Sequence, residues 1–143
     1  MSYPDNFLRG VSNRELLTPA LEVSAGVFHF DLSKTNNGWL EQSICWEDDG
    51  SVVDLMLNQR KEGEIRFKAG VVRVPLSCVH YINRLRQTQE LLSYERKELN
   101  ENAYHGNLLL KKDTHKITRS KVAATLANHV IDVISREQIS DLE

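Results

Sequence analysis

The chain has 143 residues, of which 41% are hydrophobic and 27% charged, with 18 Lys and Arg against 20 Asp and Glu and a net charge of −2. This composition belongs to a globular domain and excludes a disordered tail, while the near-balance of charge excludes a polycation that coats nucleic acid by bulk electrostatics. No apolar run approaches the ~18 residues that a membrane helix requires, so no membrane partner is expected.

Met1 to Asn6 contains neither a basic nor an apolar stretch, so no signal peptide is expected. Cys45 and Cys78 stand far apart in a chain able to build a core without a disulfide, which points to two reduced thiols and a cytoplasmic location. Residues 1–25 read as an N-terminal arm with short helical turns. Ser12-Asn13-Arg14-Glu15 has capping-box spacing, and Thr18-Pro19 limits the helix that follows to a turn or two. A second short turn from Pro19 to Ala25 ends at Gly26. The arm leads into a single α+β domain over residues 26–137, followed by a C-terminal tail at 138–143.

From Gly26 the pattern alternates, with Phe28, Phe30 and Leu32 on one side and Val27, His29 and Asp31 on the other, as in a strand. Asn37-Gly38 marks a tight hairpin, because both residues tolerate positive φ. The returning strand places Leu40, Gln42, Ile44 and Trp46 on one face and Trp39, Glu41, Ser43 and Cys45 on the other. After an acidic turn at Glu47-Asp48-Asp49-Gly50, residues 51–59 fit either a short helix (Val52, Val53, Met56, Leu57) or a strand (Val53, Leu55, Leu57), and the strand is favoured. Lys61 to Glu64 then turns into Ile65-Arg66-Phe67, and Val71 to Val74 is a further strand. Ser77 caps a predicted helix carrying Val79, Ile82, Leu85, Gln89 and Leu92. Tyr94 to Leu99 and Tyr104 to Leu110 form two strands about Asn100-Glu101-Asn102. A last helix presents Ala123, Leu126, Ala127, Val130, Val133 and Ile134 as its apolar stripe. The order β-β-β-β-(β)-α-β-β-α predicts a single α+β domain, a mainly antiparallel meander sheet with two longer helices packed on one face.

Chemistry is sparse. Residues 104–136 hold six basic and two acidic groups. Lys111, Lys112, Lys116, Arg119 and Lys121 gather where a strand gives way to a helix start. A helix N-terminus is already partly positive, so cations there call for an anion, which marks a candidate phosphate or nucleic-acid site. The five histidines show no zinc-ligand spacing, no C-x-x-C accompanies them, and no metal or cofactor is expected. His105 beside Gly106 is the candidate general base of a small hydrolase or nuclease, with Glu95 and Arg96 on the adjacent strand to orient it or hold an anion. No nucleophile elbow, phosphate loop or calcium-loop pattern supports a catalytic reading. Trp39, on a mostly polar face, is an interface candidate. The expectation is therefore a non-catalytic binding protein, a subunit or regulator in an assembly, with a protein partner or a second copy of the chain. The alternatives are nucleic-acid or phosphate-ligand binding through the basic helix start, and hydrolysis at His105.

Overall fold

The structure is a computed structural model that describes residues 3–17, 22–85 and 91–136. In chain order it contains β1 (Asn6–Val11), a 3-10 turn at Arg14–Leu16, a second at Ala25–Phe28, β2 (Thr35–Asn36), β3 (Trp39–Trp46), α1 (Ser51–Leu57), β4 (Arg60–Lys61), β5 (Glu64–Ile65) and β6 (Gly70–Pro75). There follow α2 (Ser77–Leu85), β7 (Leu92–Arg96), β8 (His105–Lys111), α3 (Lys116–Asn128) and β9 (Asp132–Ser135). One antiparallel sheet runs in the order β7-β8-β3-β1-β6-β9, with β2 added to β3, and β4 and β5 form a small hairpin of their own. The protein is thus a single α+β domain, and no described helix is long and apolar enough to cross a membrane.

Side-chain alternation on β3 sorts the molecule into layers. Leu40, Gln42, Ile44 and Trp46 are all buried, facing Cys78, Val79 and Ile82 of α2 and Val122, Ala123 and Leu126 of α3. The two longer helices therefore share one face. On the other face α1 seats Val52, Met56 and Leu57 on Leu8, Cys45 and Val71. Asn83 ties α2 to the sheet: its amide accepts from the Leu91 and Leu92 N–H groups and donates to the Leu92 carbonyl.

Several expectations need correction. The predicted arm contains β1, a strand in the middle of the sheet, followed by a 3-10 turn whose cap is the Asn13 side chain. Its predicted turn at 19–25 lies partly outside the described residues. The alternating stretch after Gly26 is a 3-10 turn, capped by Ser24, and then an irregular segment. Phe28 and Phe30 are still buried, but without a strand partner, and Leu32 is exposed. The hairpin at Asn37-Gly38 forms with positive φ at both residues, although its first arm is only the two residues of β2. Residues 51–57 are helical rather than extended. The helix buries Val52, Met56 and Leu57 together, which alternation would place on opposite faces, and Asp49 accepts the Ser51 N–H at its start. The α2 helix stops at Leu85, Gln89 lies outside the described residues, and Leu92 opens β7. At the C-terminal end, α3 closes at Asn128, capped by the His129 N–H, and Val133 and Ile134 belong to β9. A β-branched run beside the free edge of β6 favours the strand there over further helix.

Candidate functional site

The chemistry-bearing feature of the fold is a place where the sheet parts. β1 and β3 pair only at Phe7–Trp46 and Leu8–Cys45, whereas β1 runs alongside β6 over its full length and β3 alongside β8. Beyond Leu8 the strands separate and the Arg9 side chain fills the gap. Its Nε donates to the Val27 carbonyl (3.1 Å) and its Nη1 to the Ser43 carbonyl (2.6 Å). The Ser43 carbonyl thus gains a donor where no β1 backbone group reaches it.

Across the gap lies the segment leaving the β4–β5 hairpin. Phe67 lies directly on Gly10, where a Cβ would come within 2.2 Å of the ring. The Arg66 guanidinium covers the ring at 5.2 Å from its centroid. Burial first, and the like charge of Arg66 second, pull the Arg9 pKa down to about 10, so Arg9 stays charged at neutral pH and the two guanidinium groups repel each other. Among the described residues neither forms a salt bridge. The carboxylates that pair elsewhere are taken by Arg73, Arg96, Lys68 and Lys97.

Two adjoining hollows, or lobes, share Arg9 and Arg66 in their linings. The larger, about 720 Å³, extends past Gln42, His29 and Lys61, and the smaller, about 390 Å³, past Met56, Gln59 and His105. Gln42 is 3% exposed and donates to the His29 carbonyl, while its Oε1 has no hydrogen-bond partner among the described residues. The cleft thus sets two arginines without carboxylate partners among the described residues between walls of mixed charge, where Asp31, Glu62 and Glu64 stand beside Lys61 and Lys68, which suits an anion bearing polar substituents.

The proposed His105–Glu95–Arg96 constellation does not assemble. His105 and Glu95 share one face of the sheet, where His105 Nδ1 bonds the Lys97 carbonyl (2.9 Å) and the Glu95 carboxylate accepts from Asn107 (3.1 Å). Arg96, next along β7, points to the opposite face, as strand geometry demands. There it forms a bidentate pair with Asp48 at 2.7 and 2.8 Å, which raises its pKa.

The basic residues near α3 are close in sequence but not gathered around one point. His115 caps the helix by accepting the Ile117 N–H, Arg119 turns back to the Thr114 carbonyl, and Lys112, Lys116 and Lys121 are exposed. Lys111 ends β8 opposite Trp39. Trp39 is half-buried in a shallow hollow with Gly38, Lys111, Lys112 and Asp113. No cluster of three or more His, Cys, Asp or Glu suited to a metal occurs among the described residues.

Arg9, Gln42 and Arg66 were not singled out from the sequence. The available signal was a charged residue followed by glycine inside the apolar stretch Phe7 to Val11. The chain matches no protein-family model, no curated protein and no solved structure.

Proposed function

We propose that the protein is a non-catalytic binding protein that receives an anionic ligand in the cleft between β1 and β3. One observation carries this reading: Arg9 and Arg66 face the same cleft, and neither has a carboxylate partner among the described residues. Burying a cation without a counter-charge is costly, and a bound anion removes that cost. A reducing cytoplasm suits the two buried, unpaired thiols of Cys45 and Cys78.

The test is calorimetric titration with inorganic phosphate at low salt. Arg66 is exposed, so Arg66→Ala keeps the fold and is expected to weaken binding by about tenfold, whereas Lys116→Glu/Arg119→Glu/Lys121→Glu leaves it within about twofold. The opposite ranking assigns the anion to the start of α3 and overturns the cleft.

A second reading, as a subunit of an assembly, is favoured by the face of β7-β8-β3 that carries Trp39, Ser93, Glu95, Leu109 and Lys111, all only half-buried. It predicts an oligomer by light scattering that Trp39→Glu converts to a monomer. A monomeric parent chain removes self-association as the basis of that reading.

A further inference from the structure

The arginines border both lobes rather than one, so an anion they hold lies at the junction of the two, and this constrains the kind of anion that fits. Arg9, Lys34 and Arg66 line both lobes. An anion with one substituent, held at that junction, fills one lobe and leaves the other to water. A diester carries a single negative charge between two substituents, one for each lobe.

The walls agree with this division. In the smaller lobe the apolar Met56 and Leu99 stand beside the Gln59 amide and the His105 ring, whose Nδ1 is already taken by the Lys97 carbonyl. Such a wall accepts a group with an apolar face and a hydrogen-bonding edge. The larger lobe has Ser12, His29 and Lys61 on its walls together with Asp31, Glu62 and Glu64, donors and acceptors that suit a hydroxylated group. Glu41 stands at the same junction, but it accepts from Asn36 Nδ2 at 2.9 Å and pairs with Lys97 at 3.9 Å, so its charge is offset without the arginines. Resting on the anion-binding reading above, we infer that the ligand is a phosphodiester, with its phosphate at Arg9 and Arg66 and one substituent in each lobe.

Charge alone ranks the candidates the other way, because a phosphate monoester carries about −1.5 to −2 at neutral pH and outbids a singly charged diester at a pair of arginines. The order of affinities therefore reads out the second substituent. The experiment titrates the whole chain with inorganic phosphate, adenosine monophosphate, the dinucleotide adenylyl-adenosine and glycerophosphocholine. One of the two diesters is expected to bind at least about tenfold more tightly than phosphate and the monoester. Which diester wins separates a nucleotide source from a glycerophosphate one. The double variant Gln59→Ala/His105→Ala is expected to remove that preference while leaving phosphate affinity unchanged. Tightest binding by phosphate or the monoester, weakened by Arg66→Ala, overturns the diester and leaves anion binding standing. No binding of any probe, or binding indifferent to Arg66→Ala, overturns both.

Discussion

At Gly106 the sheet has no room for a side chain: a Cβ there would lie 2.2 Å from the Trp46 indole nitrogen and 2.4 Å from the Glu95 carbonyl oxygen. Those two atoms are themselves hydrogen-bonded, the buried indole N–H donating to Glu95 at 3.1 Å. Gly106→Ala therefore has to part the pair or shift β7, and a loss of about 1–3 kcal/mol is expected in urea unfolding. Trp46→Phe removes the donor and also the second ring of a fully buried indole, so a loss of about 2–4 kcal/mol is expected. Cys78 supplies a second residue-level test. Burial pushes its thiol up from 9.0 to about 11, so the folded state holds the proton that the unfolded chain releases. Its contribution is fully present below pH 9.0 and is lost as pH rises toward about 11. The urea midpoint is expected to fall across that interval, less steeply in Cys78→Ala, and equal slopes would show that the thiol does not contribute.

The short helix α1 depends on the turn before it. The Asp49 carboxylate accepts from the Ser51 N–H and hydroxyl, and these bonds hold its pKa below the ordinary carboxylate value. The support is complete above the unfolded value near pH 3.8 and disappears as pH drops through the lower folded one. Chemical shifts of α1 are expected to move toward coil values in that acid range, and to be shifted already at neutral pH in Asp49→Ala. The same elements show what a sequence reveals. The Asn37-Gly38 hairpin and the strands around Asn100 were legible because turn residues and alternation coincide there. Helix α1 was not, since a run holding Val52, Val53, Leu55, Met56 and Leu57 satisfies both periods, and only Leu8, Cys45 and Val71 beneath it decide between them. Strand β9 was hidden because its valine and isoleucine continue the apolar spacing of α3. The candidate site was the least legible part: Arg9 lies in a segment read as an arm, and Arg66 and Gln42 join it only through tertiary contact.

Across the whole molecule, Arg73 fastens three strands. It grips both Glu47 carboxylate oxygens at 2.7 and 2.8 Å and also reaches Asp132, and the hydrogen bond to Glu47, its largest influence, raises its pKa. The end of β3, the middle of β6 and the start of β9 thus meet at one guanidinium. Arg73→Met is expected to cost about 1.5–3 kcal/mol and to speed amide exchange in β9 more than in β8, because β9 is the edge strand it anchors. Uniform exchange in both strands would place the effect elsewhere.

The central position of β1 also dictates an order of events during synthesis. β1 pairs along its whole length with β6, Phe7 meeting Val74, 67 residues later in the chain. Until β6 is made, β1 has only its two-residue contact with β3, so the growing chain carries an unsatisfied strand over those 67 residues of synthesis. Contacts this distant in sequence slow folding to the millisecond-to-second range and leave an adhesive edge open meanwhile. A charge in the middle of such an edge, here that of Arg9, opposes pairing with a wrong neighbour in the way that charged side chains blunt exposed strand edges generally.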